Sequence, residues 1–506
     1  MKMVKSLLLS SAAGFVAVAG AQAADLPVKA KPVEYVKVCS LYGAGFFYIP
    51  GTDTCIKIGG AVRVQAEVNA GAGGVPVGLG SSVEAPQGIQ TRSNTNDVNF
   101  RNRIYFSVDA RQQTEYGTLR TYFRFGVQQT TPTDSVGGAV FWDRAFIQFA
   151  GFTVGKTVSF FDGFSTSIYN YNNPRTMADT GPNGITVWAY TAQFGNGISA
   201  TLSAEDPSGR GKSVTNANLA GTWALGALTT DAGLAAQSGT SNGFLYPDVV
   251  GALRVDQAWG SAQLMAAMHD ASGAYYGTST TGAQVNGHPS NAYGYAVGGA
   301  FAINLPTFGA TSNVNSQPNV DQFLVQGVVA KGATAYTTNG IGPYQLYGGG
   351  QSVGLGWLTD GVFNTGSNVE LTRTWSVFTA YQHIWTPNWR TSVYGGYLDV
   401  NYDSTAQSML CSGAGGTFGS VFAVTAAAGT PCNPNFHVWQ AGTRTQWNPV
   451  SQLDVGVDVL YSKLQVDDAG SLVSLGANGA RPAGTYTLSD QDVWSVMFRV
   501  QRNFWP

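Results

Sequence analysis

Residues 97–111 read DVNFRNRIYFSVDAR and residues 116–128 read YGTLRTYFRFGVQ. In the first stretch Val98, Phe100, Ile104, Phe106, Val108 and Ala110 occupy even positions, while Asp97, Asn99, Arg101, Arg103, Tyr105, Ser107, Asp109 and Arg111 occupy odd ones. In the second, Leu119, Phe123, Phe125 and Val127 share one face and Tyr116, Arg120, Tyr122, Arg124 and Gln128 the other. Alternation of period two marks β-strands with one apolar and one charged face. In a soluble sandwich the apolar faces meet in a shared core and the charged faces meet water. In a transmembrane barrel the apolar face meets lipid and the charged face lines an aqueous lumen.

Composition favours the barrel. Charged residues make up 11% of the 506-residue chain, where a soluble protein carries about a quarter. Glycine accounts for 65 residues, and Gly, Ser, Thr and Asn are spread through the chain without an obvious linker, so one large repetitive fold is the simpler organisation. Outside the N-terminus no apolar run is long enough for a membrane helix. The chain is therefore read as all-β, a transmembrane antiparallel barrel of about sixteen strands, with eighteen kept open because membrane barrels favour even counts.

The N-terminus reads as an export signal over residues 1–23. Lys2 and Lys5 precede an apolar run at 7–19 that leads into Ala21-Gln22-Ala23, a small-residue cleavage site. The run falls short of the ~20 residues a membrane span needs. Residues 24–55 are interrupted by Pro27, Pro32 and Pro50 and read as a periplasmic lead-in, with the barrel occupying 56–506. Four cysteines in an exported chain suggest two disulfides. Three connectivities are open, and local closure has the smaller entropy cost, which pairs Cys39 with Cys55 and Cys411 with Cys432. Metal binding is weakly supported: there is no Cys-x-x-Cys, and His269, His288, His383 and His437 are scattered. No cofactor is implied.

The connections alternate in length. Residues 69–96 form a long Gly/Ser/Asn-rich link, 112–115 a short one, 162–183 a long one, and Gly195-Asn196-Gly197 a tight hairpin signal. Long external loops and short periplasmic turns produce this rhythm in outer-membrane barrels. Seven strand candidates precede residue 206. Later ones fall at 214–225, 226–237, 249–257, 261–269, 292–304, 322–333, 372–385, 389–400, 436–447, 453–464 and 493–504, making eighteen in all. Trp385, Trp389, Trp439, Trp447, Trp494 and Trp505 lie near strand ends, where interfacial girdles belong.

These residues carry a family resemblance. Residues 39–63, CSLYGAGFFYIPGTDTCIKIGGAVR, resemble the opening signature of the alphaproteobacterial outer-membrane porins; the stretches 24–39, ADLPVKAKPVEYVKVC, and 496–504, VMFRVQRNF, are similar to the same family. The ending departs from the usual terminal phenylalanine, since Trp505 and Pro506 follow Phe504. The resemblance implies a homotrimeric general-diffusion pore in the outer membrane, surrounded by lipid and passing small hydrophilic solutes and ions.

On that reading Arg63, Arg101, Arg103, Arg120, Arg124 and Arg144 face the lumen from neighbouring strands and form a basic arc, unless Glu67, Asp97 and Asp109 on the same wall pair with them. In porins resembling this chain the third external loop folds inward. Residues 162–183, with Asp162, Tyr169, Tyr171, Arg175 and Asp179, are the candidate constriction loop. No His-Glu-x-x-His, Gly-x-Ser-x-Gly or phosphate loop occurs, and the glycines Gly348–Gly350 lack a strand-to-helix context; neither an enzyme nor a nucleic-acid partner is expected. The alternatives are a substrate-selective channel, for which Tyr169 and Tyr171 are too few to form an aromatic slide, and a surface adhesin or structural barrel with a plugged lumen. With 27 basic and 29 acidic residues, the charge balance names no preferred ion.

Overall fold

The computed structural model describes residues 37–70, 98–131, 138–210, 214–217, 243–276, 287–314, 318–339, 342–346, 350–411, 424–425, 432–475 and 484–504. Sixteen of its strands form the barrel: β1 (Cys55–Val68), β2 (Val98–Thr114), β3 (Gly117–Thr131), β4 (Ala139–Phe149), β5 (Phe152–Thr157), β6 (Ile185–Gly195), β7 (Ile198–Glu205), β8 (Asp248–Gln257), β9 (Gly260–Asp270), β10 (Tyr293–Leu305), β11 (Asp321–Lys331), β12 (Arg373–Thr386), β13 (Trp389–Asn401), β14 (Phe436–Val450), β15 (Leu453–Val466) and β16 (Gln491–Asn503). Each pairs antiparallel with the next. The ring closes between β16 and β1, from Ala61 opposite Asn503 to Val68 opposite Val496.

The alternation read from the sequence sorts the side chains as a membrane barrel requires. Ile58, Val62, Val64, Phe100, Ile104, Phe123, Phe125 and Val127 are exposed on the outer wall, while Gln65, Glu67, Asn99, Arg101, Ser107 and Asp109 are buried inside. Two aromatic belts edge the outer wall. Trp389 stacks on Trp447 at 5.8 Å near the tight-turn end, and Tyr461 lies between Trp439 at 5.0 Å and Trp494 at 4.9 Å toward the long-loop end. Trp505 lies outside the described residues.

Sixteen strands, not eighteen, complete the ladder. β7 pairs directly with β8, Leu202 opposite Gly251, so the ring has no place for the expected strands 214–225 and 226–237. Val214–Asn216 pairs instead with Gly361–Phe363, in a small sheet outside the barrel, and residues 218–242 lie outside the described residues. The strand that precedes the expected constriction loop ends at Thr157. The leader at 1–23, most of the first long link and the Gly348–Gly349 pair also lie outside the described residues.

At the tight-turn end, Phe47–Tyr48 pairs with the start of β1, and the Cys39–Cys55 disulfide ties residue 39 to the same strand. Arg111 packs over Phe46 at 5.0 Å, and Lys57 donates to the Ala44 carbonyl at 3.1 Å. At the opposite end a second sheet, built from Gly342–Leu346, Ser352–Leu358, Val424–Thr425, Leu472–Leu475 and Gly484–Leu488, roofs part of the mouth. Its Tyr344, Leu355 and Trp357 share one apolar core with Leu398, Val400, Phe436, Val438, Leu464 and Val493 of β13–β16. Helix α1 (Ser404–Cys411) joins this cap. Asp403 caps the helix by accepting from the Ala406 N–H at 2.9 Å, and the Cys411–Cys432 disulfide leads off its last residue.

Two outcomes follow from this division between wall and cap. Phe123→Arg places a guanidinium in the lipid-facing band and should cost roughly 2–4 kcal/mol near mid-membrane, read as a lower urea midpoint for loss of the heat-modifiable band. Cys411→Ser with Cys432→Ser should leave that band in place, because the barrel ladder does not run through the cap; loss of the folded band would refute this.

Candidate pore lumen

Register brings several of these arginines together in pairs, and their crowding is answered locally. Register sets Arg63 opposite Arg103, Arg111 opposite Arg120 and Arg124 opposite Arg144, and like charges directly across a ladder repel. Asp109 relieves one pair, meeting Arg111 at 2.8 Å and Arg120 at 2.9 Å. Asp143 relieves another, accepting from Arg124 Nε at 2.9 Å. A bulge in β4 makes that possible: Arg124 faces Arg144 while Phe125 faces Trp142, so Asp143 is the extra residue and joins Arg144 on the lumen side.

Arg63 and Arg103 form no ion pair among the described residues. Arg63 Nε donates to Gln501 at 2.6 Å, Arg103 donates to the Tyr105 hydroxyl at 2.8 Å and to Gln128, and both guanidiniums lie over the Tyr105 ring, at 5.2 and 5.5 Å. Arg101 is buried, its Nε 3.3 Å from Thr130 Oγ1. Glu67 accepts from Gln65 at 2.8 Å, and Asp97 lies outside the described residues. Lys156 sits on the outer wall over the Trp142 ring at 4.7 Å and donates to the Trp142 carbonyl at 3.1 Å.

Between β5 and β6, residues 158–184 leave the wall and cross the lumen. The stem is held by carboxylates. Asp162 accepts from the Thr180 N–H at 2.7 Å and from Arg210 at 2.8 Å. Asp179 accepts from the Gly181 and Thr166 N–H groups at 2.7 and 2.8 Å and from Ser165 Oγ at 2.9 Å. Burial, and then the neighbouring Asp162 carboxylate, push the Asp179 carboxyl above its ordinary range. Glu205 accepts from Ser159 Oγ at 2.6 Å and from the Phe160 N–H at 2.9 Å.

The tip is tied to the far wall. Asp458 of β15 accepts from the Tyr171 and Asn172 N–H groups at 2.5 and 2.8 Å and from the Tyr394 hydroxyl at 2.6 Å. Tyr171 Oη donates to Asp454, the Arg175 N–H donates to Gln440 at 2.6 Å, and Tyr169 Oη donates to Gln322. Gly456 permits the approach: a Cβ there would lie 2.5 Å from Tyr171 Oη. Arg144 ties the returning limb back to β4 through the Gly181 carbonyl at 2.6 Å.

The loop fills one side of the lumen. Phe161, Tyr169 and Met177 pack against inward-facing Val250, Met265, Ala296, Ala300, Leu324, Val328, Ala330 and Phe378. The inner wall of β8–β12 therefore carries an apolar patch, in which Val250, Ala296 and Leu324 are at most 1% exposed. On the opposite wall Arg120 and Arg124 keep 27% and 29% of their side-chain surface. Of the five loop residues expected to constrict the pore, Asp162, Tyr169, Tyr171, Arg175 and Asp179 are all buried, holding stem and tip. Sequence reasoning did not single out Asp143, Arg390, Arg444, Asp454, Asp458 or Arg499. Asp454, Asp458 and Arg499 lie at polar positions of cleanly alternating strands, and that alternation was the available signal.

A family model described as "Porin subfamily" matches residues 25–497. Porin Omp2b of Brucella canis is 33% identical over 272 residues, and that of Brucella abortus 34%; each match covers 51% of this chain and 64% of the relative's length. Among solved structures the outer membrane channel DcaP of Acinetobacter baumannii shares the fold, with a TM-score of 0.52 at 13% identity over 90% of this chain and 99% of that one. A closed sixteen-strand barrel with a lipid-facing apolar wall, matched by that model over most of its length, belongs to the porin subfamily of the bacterial outer membrane.

Proposed function

We propose that the chain forms a water-filled passive diffusion pore for small hydrophilic solutes and ions, with no enzymatic activity, assembled as the homotrimer its family implies. The leader at 1–23, the periplasmic lead-in at 24–55 and the constriction by 162–183 belong to the same reading. One observation carries it: the loop is packed onto β8–β13, while the opposite wall gathers Arg63, Arg103, Arg120, Arg124 and Arg144, of which Arg120 and Arg124 keep 27% and 29% of their side-chain surface. A path between an apolar-backed loop and a wall of guanidiniums suits hydrated polar solutes and disfavours apolar ones. Planar-bilayer recording tests it. Ohmic steps that grow with bulk salt support the pore, and an electrically silent, correctly folded protein would refute it.

The charge of the wall should be readable as selectivity. Arg103→Gln removes a fixed positive charge that no carboxylate among the described residues answers, so the reversal potential should move toward cations. Arg120→Gln should move it the same way by a smaller step if Arg111 and Asp109 reorganise around the loss. Both shifts should shrink from ~0.1 to ~1 M salt, as the screening length falls from about 10 to 3 Å. Unchanged selectivity in both variants would remove the arginines from the solute path.

The tip anchor makes a separate expectation. Asp458→Ala leaves three donors without their acceptor, at roughly 1–3 kcal/mol for each that stays buried and unpaired. The released tip should raise the conductance and its noise while the barrel stays closed. Unaltered conductance in a folded Asp458→Ala protein would mean that the loop does not set the pore's width.

A further inference from the structure

Beneath the loop tip, toward the tight turns, lies a second concentration of charge. A cavity of about 270 Å³ is bounded by Arg390 of β13, Arg444 of β14, Asp454 of β15, Arg499 of β16, Arg63 of β1 and Tyr171 of the loop. Ser451 and Gln452 of the β14–β15 turn also line it, which places it at the periplasmic end. Above it, the other ends of β13–β16 are packed under the apolar cap through Leu398, Val438, Leu464 and Val493.

The charges in this recess do not balance. Four guanidiniums surround one carboxylate, and Asp454 lies 3.7 Å from Arg390 while already accepting from Tyr171 Oη and from Gln446. Arg390, Arg444 and Arg499 are 7%, 3% and 9% exposed, and the Nε of each has no hydrogen-bond partner among the described residues. Arg444 is fixed by the Ser167, Ile168 and Asn170 carbonyls, and Arg499 lies 4.0 Å over the Tyr171 ring. Burying cations costs free energy that only counter-charge and hydrogen bonds offset. Guanidinium forks held around one space match the several oxygens of a polyatomic anion better than a single-atom ion.

We propose that this recess binds a small multivalent oxyanion of the phosphate or phosphate-ester class, adding a saturable step on the periplasmic side of an otherwise free-diffusion path. The proposal rests on the pore reading above. Arg499 and Arg390 each supply an Nε–H unpaired among the described residues, Arg444 couples the site to the loop backbone, and Asp454 sets an upper limit on affinity by repelling the ligand. A solute of this class should therefore slow the passage of other anions as it occupies the site.

Inorganic phosphate is the probe, added to each side in turn of single pores carrying chloride current at constant ionic strength. The chloride conductance should fall saturably with phosphate. The half-blocking concentration should rise about tenfold or more in Arg499→Gln and in Arg390→Gln, as expected for losing a hydrogen bond to a charged group. It should fall in Asp454→Asn and stay the same in Lys463→Gln, on the outer wall beside Asp490. Should a lumen variant assemble poorly, calorimetric titration of phosphate into the detergent-solubilised wild-type protein reads the site directly, with heat of saturable binding expected. Normal steps indifferent to phosphate, or blocked equally in wild type and Arg499→Gln, would overturn this inference alone; absence of any step in the folded protein would overturn the pore reading along with it.

Discussion

A backbone in hydrocarbon has no water to accept its hydrogen bonds, so every N–H and C=O of a spanning sheet must be paired within the sheet. The β16–β1 ladder meets that requirement by leaving no free rim. The other features of the wall follow from it. Closing the ring separates inside from outside at every strand, and a period of two then assigns each residue to one or the other. That is why a face of arginines and a face of phenylalanines coexist on β2 and β3 without either being strained.

The interior is asymmetric because the loop binds unequally around the ring. Its apolar residues settle against β8–β13 and its polar tip is held by Asp454 and Asp458, which leaves the arginines of β16 and β1–β4 as the opposing wall. Neutralisation is local rather than global: Asp109 and the bulge residue Asp143 answer three arginines, while Arg63 and Arg103 rely on amides, a hydroxyl and the face of Tyr105. A lumen built this way keeps a net positive wall although the whole chain is nearly neutral.

Much of the wall was legible in the sequence, for a physical reason. On β1–β4 and β14–β16 one face meets lipid and the other meets charge, so alternation is unmistakable. On β8–β12 part of the inner face meets the loop rather than water, and Val250, Ala296, Ala300, Val328 and Ala330 make that part apolar like the outside, between polar Gln263, His269 and Gln326. Period two fades there because both faces are dry. The same ambiguity let residues 214–237 pass for two more strands, although β7 and β8 pair with each other. Asp162 and Asp179 were visible as loop carboxylates, but not their engagement with the Thr180 and Thr166 N–H groups across the loop, since hydrogen bonds between residues 18 and 13 positions apart leave no periodic trace. The Asp143 bulge was hidden similarly: one extra residue looks like a break in pattern until its partner strand is known.

The seam also sets the order of assembly. Arg63 and Gln501, hydrogen-bonded across it, are separated by 438 positions in the sequence. The entropy of closing so long a loop grows only slowly with its length, but contacts so distant along the chain form late. Until β16 is in place, β1 presents an unpaired edge, open to any other strand that reaches it. The growing sheet thus carries two reactive rims for as long as it is incomplete, and the first strand made has to be kept from wrong partners until the last one arrives.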